Sequence, residues 1–231
     1  MLAPALAPQK QDLREQIPFK LGFREGVQES LGSIAGDIPR GALTEIAGPA
    51  SSGRTALLYS LLASMTARQE FCALLDVEDS FDPESAAAAG VRLSQLLWVR
   101  CGSAHGDGPL RNPHQNNNVE RALKAADMLA QGGGFGLVAI DLGNIPPQVA
   151  RRIPLAAWFR LRRGVENTRT ALVVVAQQIY ARSCSALKIA LGRNRTLWRG
   201  RLPGCLLDGI EVEAHCIRNH RGQGRNFVIR R

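Results

Sequence analysis

Five short apolar runs dominate the first three quarters of the chain: "ALTEIAG", "FCALLDV", "LLWVR", "GLVAID" and "ALVVVAQ". Several are almost uninterrupted in Val, Leu, Ile and Ala, the pattern of strands covered on both faces. Helical stretches fall between them, over 55–68, 83–90, 119–131 and 154–164. Pro154 suits a first helical position, and Gly90 and Gly164 suit helix ends. Strands alternating with helices build a parallel sheet wrapped by helices. The last part changes character: "RTLWR", "GIEVEAHCIR" and "NFVIRR" read as strands joined by Gly-rich turns, without helices between them. The expected fold class is therefore α/β, a mostly parallel twisted sheet flanked by helices with an antiparallel C-terminal edge.

Two segments read as irregular loops, "GSAHGDGPLRNPHQNNN" and "GRNRTLWRGRLPG". Residues 1–31 read as an N-terminal arm, rich in Pro, Ala and Gln at its start, with one short helix near "QDLREQ". Residues 32–231 read as one core domain, a size that a single hydrophobic core can support. No run reaches the roughly 18 apolar residues that cross a bilayer, so no membrane partner is expected. The five cysteines are scattered and form no CxxC, which suits reduced thiols in a cytoplasm.

The net charge of +9 is unevenly placed. Residues 1–145 carry 12 Lys+Arg against 16 Asp+Glu, a net −4, while residues 146–231 carry 17 against 4, a net +13. Such a basic half calls for an acidic partner, either nucleic acid or an acidic protein surface. Its alternative is a solvated, arginine-rich surface, since only four of the 29 cations are lysine. Candidate contact residues are Arg160, Arg162, Arg163, Arg169, Arg193, Arg195, Arg199 and Arg201. Trp158 and Phe159 sit among the first of these; helical spacing assigns both rings to the sheet and the arginines to the surface.

"GPASSGRT", Gly48 to Thr55, has the form of a phosphate-binding loop between a strand and a helix. Gly48, Pro49, Ser51, Ser52 and Gly53 would turn backbone N–H groups toward a phosphate, at the positive end of the helix that follows. Thr55 would offer its hydroxyl to Mg²⁺. Arg54 stands where such loops carry lysine, and a planar guanidinium does not fit the slot of a slim ammonium. Asp141 ends "GLVAID" in the manner of a Walker-B carboxylate that holds the Mg²⁺ water shell. Asp76 and Glu78, at the end of the second strand, either orient an attacking water or cap the next helix. Gln177 and Gln178 either contact a γ-phosphate or simply end a strand.

"GALTEIAGPASSGRTALL", "CALLDVEDSFDPESAAAAGV", "FGLVAID" and "LVVVAQQ" resemble, in order and spacing, the ATPase core of the RecA recombinases. The closing "VEAHCIRNHRGQGRNFVIRR" is similar to that core's last hairpin. The resemblance implies a phosphate loop at Gly48, Gly53 and Thr55, a water-activating Glu78, a Walker-B Asp141 and a γ-phosphate sensor at Gln178. It also implies departures. Both DNA-binding loops of RecA are reduced, the first to "LGNIPPQVAR" and the second to "IYARSCSA" before a helix beginning near Leu187. No C-terminal RecA domain is expected after Arg231.

The segment from "ARSCSALKIALGRNRTLWRG" onward looks like ImuA-type proteins, RecA-like members of a DNA-damage mutagenesis cassette. That likeness implies a cytoplasmic, nucleoid-associated accessory of SOS translesion synthesis, with ATP and Mg²⁺ binding weak or absent. Its partners would be RecA or a translesion polymerase. The alternative is an ATP-hydrolysing, DNA-binding recombinase mediator or motor. A third reading is a nucleotide pocket that serves only as structure.

Overall fold

A computed structural model describes residues 38–102, 115–200, 204–218 and 221–230. The N-terminal arm and its expected helix, most of the first irregular segment and Arg201 lie outside the described residues. Eight strands form one sheet in the order β3-β2-β4-β5-β1-β6-β7-β8. They are β1 (Leu43–Ala47), β2 (Cys72–Asp76), β3 (Leu96–Arg100), β4 (Leu137–Asp141), β5 (Ala171–Ala176), β6 (Ser185–Arg199), β7 (Leu206–Arg218) and β8 (Arg221–Arg230). Strands β1 to β6 pair in parallel, and β6, β7 and β8 pair antiparallel. The expected α/β class, with its antiparallel C-terminal edge, is what the chain adopts.

The helices are α1 (Arg54–Ala67), α2 (Pro83–Ala88), α3 (Gln115–Gly132), α4 (Pro147–Ala150) and α5 (Leu155–Val165). One core lies under α1, where Leu57, Leu58, Leu61, Leu62 and Met65 meet Ile46, Leu74, Val173 and Ile189. The other lies under α3 and α5, where Ala122, Ala126, Trp158 and Leu161 meet Leu43, Leu75, Ile140 and Val174. Strands β1, β2 and β5 are buried along their whole length, the polar Thr44, Glu45 and Asp76 included.

Several local expectations are corrected. No helix begins near Leu187: residues 185–199 form one long strand, so the stretch read as a loop from Gly192 is strand as far as Arg199. Leu187, Ile189 and Leu191 alternate with Lys188, Ala190 and Gly192, and the three apolar residues enter the core under α1. Gln115–Asn118, read as loop, open α3. Pro154 is the N-cap of α5 rather than its first residue. Gly164 lies within α5, where a Cβ would stand 3.3 Å from the Ala130 Cβ of α3, so it serves close helix approach.

The connection from β5 to β6 is only residues 177–184, with a single 3-10 turn at Arg182–Cys184. Parallel strands are normally linked by a dozen or more residues, usually through a helix. Here the chain leaves β5 at its carboxyl end and returns so that Ser185 pairs with Leu43, the first residue of β1. It crosses the face of β1, and Ala181 and Cys184 pack in the core under α5. Glu45, buried in the middle of β1, supplies the hydrogen bonds that a helix would have made internally. Its Oε1 accepts from the backbone N–H groups of Tyr180 (2.6 Å) and Ala181 (2.8 Å), and its Oε2 accepts from Ser185 Oγ (2.7 Å).

At the opposite side of the sheet, Arg40 clamps three segments. It donates to both Glu70 carboxylate oxygens (2.6 and 2.8 Å) and to the carbonyls of Gly136 (3.2 Å) and Arg169 (2.9 Å). Those Arg40 hydrogen bonds hold the Glu70 carboxyl below the usual glutamate range, against its burial. A depressed carboxylate contributes stability above its unfolded pKa and loses it as pH falls through the folded value. Glu70→Gln should therefore flatten the acid limb of the stability curve from about pH 4 downward. Urea midpoints measured between pH 7 and pH 3 check this, and parallel curves for the two proteins would refute it.

Candidate functional site

The carboxyl ends of β1, β2, β4 and β5 gather the sequence-predicted site residues at one edge of the sheet, where ligands meet open α/β folds. The loop after β1 keeps its backbone requirements. Gly53 is the N-cap of α1 with φ +87°, a left-handed conformation suited to glycine, and Ser51 also has positive φ (59°). A Cβ on Gly48 would stand 2.4 Å from Ser52 Oγ and 2.5 Å from the Leu191 carbonyl oxygen, so β6 and the loop fit together only around a glycine. Ser52 is buried with its Oγ unpartnered, while Thr55 is exposed at the first turn of α1.

Arg54 does not extend into solvent. It is 9% exposed, and its guanidinium donates to the Gly143 carbonyl at 3.0 Å, just beyond the end of β4. Gly143 in turn donates its N–H to Asp141 Oδ1 at 2.8 Å, so Arg54 and Asp141 flank one glycine. A Cβ there would meet Asp141 Oδ1 at 2.9 Å and the Arg54 guanidinium at 3.5 Å. Burial lowers the Arg54 pKa, opposed by the attraction of Asp141. Burial raises the Asp141 pKa, opposed by the Gly143 N–H and by Arg54 and reinforced by Asp76.

Mg·ATP would meet two groups already engaged here, Arg54 and Asp141. A magnesium ion needs an ionised carboxylate with open lone pairs. Asp141 has one oxygen engaged by Gly143, an environment that disfavours its ionised form, and a buried guanidinium as its neighbouring cation. A triphosphate would also have to draw Arg54 away from Gly143.

The other expected residues fall on both sides of the alternatives left open. Asp76 is a structural carboxylate: Oδ1 accepts from Ser80 N (3.0 Å), and Oδ2 from Phe81 N (2.9 Å) and Trp98 Nε1 (3.2 Å). It ties down the loop after β2, whereas Asp82 is the cap of α2. Glu78 is half-buried in that loop, at the edge the phosphate loop shares. Gln178 accepts from Arg151 at 2.8 Å, and Gln177 donates to the Ile145 carbonyl at 3.2 Å. So Gln178 is held by the short loop after β4.

That loop carries what the sequence reading missed. Arg151, Arg152 and Arg182 line a cavity of about 460 Å³ together with Gln178 and Tyr180, and among the described residues no carboxylate lines it. The Tyr180 hydroxyl is buried without a partner. The signal was the "ARR" that closes the shortened loop, 30 residues before Arg182, and only the crossing of β1 brings the two segments together.

Among the candidate surface arginines, Arg160, Arg163, Arg169, Arg193, Arg195 and Arg199 are exposed and Arg162 half-buried. Arg160 lies 3.3 Å from Asp127, and Arg195 4.0 Å from Glu211. Four belong to α5 and the turn after it, and three to β6. The two rings divide: Trp158 is 1% exposed, but Phe159 is 42% exposed, contrary to the expectation that both pack on the sheet. The buried stripe of α5 is Ala157, Trp158, Leu161 and Val165, and Phe159, about 100° round from Trp158, falls outside it. No helix among the described residues is long and apolar enough to cross a membrane.

The chain is similar to curated RecA proteins: 28% identical over 156 residues to that of Chloroflexus aurantiacus, covering 62% of this chain and 40% of the relative. It is 28% identical over 166 residues to the RecA of Ectopseudomonas oleovorans, covering 66% and 43%. With the RecA of Deinococcus radiodurans it shares 29% over 156 residues, covering 62% and 39%. The chain thus aligns with about two fifths of the length of these relatives. Residues 25–149, more than half of the chain and including the phosphate loop and Asp141, match the RecA N-terminal domain family, to which the chain belongs.

Proposed function

We propose that this chain is a RecA-like accessory protein of the bacterial DNA-damage response, of the ImuA type, acting in SOS translesion synthesis. It works in the cytoplasm at the nucleoid, through contacts with RecA or a translesion polymerase, and has little or no ATPase activity. One observation carries this reading: Arg54, in the lysine position of the loop, is folded down onto Gly143 beside Asp141. The guanidinium is a fixed internal strut that joins the phosphate loop to the loop after β4. The eight-residue link from β5 to β6 supports the same reading, because it leaves no room for a long DNA-gripping loop. RecA protomers stack head to tail, and a relative with a similar core and shortened loops is suited to join or cap such a stack.

Calorimetric titration of Mg·ATP tests the site. The unmodified chain should give no binding tighter than about 1 mM, and Arg54→Lys should gain at least about tenfold. Micromolar binding by the unmodified chain would remove the reading. The partner half is tested separately, by adding the chain to RecA on single-stranded DNA. Filaments should shorten and the DNA-stimulated ATPase should fall, and no change in either would exclude RecA as the target.

A second reading, a DNA-binding mediator, is favoured by the arginine-lined cavity at Arg151, Arg152 and Arg182. In that case oligonucleotide affinity should fall steeply with salt, as counterions are released from the phosphates. Flat or absent binding at low salt would eliminate it.

A further inference from the structure

Resting on the reading that this chain works through protein contacts, we infer that the groove between α3 and α5 docks an acidic amphipathic helix of a partner protein. The groove holds about 560 Å³ and is lined by Gln131, Ala156, Phe159, Arg160, Arg163 and Gly164. Its floor is made where Gly164 lets the helices approach closely, and its wall is the Phe159 ring, 42% exposed beside the fully buried Trp158. The Phe159 ring and Ala156 set an apolar wall between the arginines of the groove.

Charge selects the occupant. Arg160 and Arg163 are the charged residues among the described ones that line the groove; Asp127, whose Oδ2 lies 3.3 Å from Arg160, stands beside it. Arg163 is exposed. A partner helix that sets an apolar anchor against Phe159 and carboxylates beside Arg160 and Arg163 would match both features. Nucleic acid is disfavoured, because Ala156 and the Phe159 ring give the groove an apolar wall that suits leucine or methionine side chains rather than a polyanion.

The test is fluorescence anisotropy on the full chain with four labelled probes. The first is a 16-residue peptide with leucine at helical i, i+3, i+4 and i+7 spacing and glutamate on its other face. The second replaces each glutamate by lysine, the third is oligo-glutamate of equal charge, and the fourth is oligo-dT. The first peptide should bind at least about tenfold more tightly than the other three. Phe159→Ala and Arg163→Glu should each weaken it at least about tenfold, with unchanged thermal melts, while Trp198→Ala on β6 leaves it unaltered. Equal binding of the lysine peptide or oligo-glutamate, preferred binding of oligo-dT, or indifference to both variants would overturn the inference. If Phe159→Ala leaves the binding of the first peptide unaltered while RecA filaments still respond to that variant as to the unmodified chain, the groove fails and the accessory reading stands.

Discussion

Glu45→Ala should lower the stability of this protein by about 3 to 5 kcal/mol, the largest effect expected of any single polar substitution in it. The carboxylate is 1% exposed and accepts three hydrogen bonds, two from consecutive backbone N–H groups and one from Ser185. Removing it leaves the Tyr180 and Ala181 amides unpaired in a crossing that has no helix to satisfy them. Each stranded buried donor costs about 1 to 3 kcal/mol. Glu45→Gln keeps an acceptor for the amides and should lose markedly less. Urea midpoints for the three proteins check the order, and a midpoint for Glu45→Ala equal to that of the unmodified chain would show that the crossing is held by packing alone. The consequence reaches the candidate site, because the same crossing carries Tyr180 and Arg182 to the arginine-lined cavity.

The strands of this fold were legible because burial on both faces leaves a strong mark on sequence. The runs in β2, β4 and β5 are apolar almost without a break, and each was placed to within a residue or two. The antiparallel edge was legible for the opposite reason, since no helical stretch separates its apolar runs. Around Leu187 the expectation failed. Resemblance to a longer relative suggested a helix, yet Leu187, Ile189 and Leu191 alternate at the period of a strand, and that local pattern governed. Phe159 failed because the buried stripe of α5 runs through Ala157, Trp158, Leu161 and Val165, and Phe159 falls beyond its edge.

The site was legible as a set of residue types but not as an arrangement. Gly48, Gly53, Arg54, Thr55 and Asp141 do converge at one edge. What sequence does not specify is where a long side chain lies once its ordinary partner has changed. Arg54 reaches Gly143, 89 residues away, and Arg151 reaches Gln178 across the loops after β4 and β5. Those contacts depend on loop lengths and on the crossing over β1, which no local motif encodes.

The phosphate loop itself provides the last test of whether its wording is kept for a ligand or for the scaffold. Gly48→Ala should destabilise the protein by about 2 to 3 kcal/mol, because the new methyl group must displace either Ser52 or the β6 backbone. The Ser52 hydroxyl can rotate, but the Leu191 carbonyl at 2.5 Å belongs to a strand paired on both sides, so relief is costly. Gly53→Ala should cost about 1 to 2 kcal/mol, the penalty for a side chain at φ +87°. Thr55→Ala, at an exposed position, should stay within about 0.5 kcal/mol. A scaffold role requires this gradient in the absence of nucleotide, with Gly48 costly and Thr55 neutral. If Gly48→Ala melted with the unmodified chain while Thr55→Ala abolished a measurable nucleotide response, the loop would be serving a ligand. Arg54 would then have to swing off Gly143 to admit it.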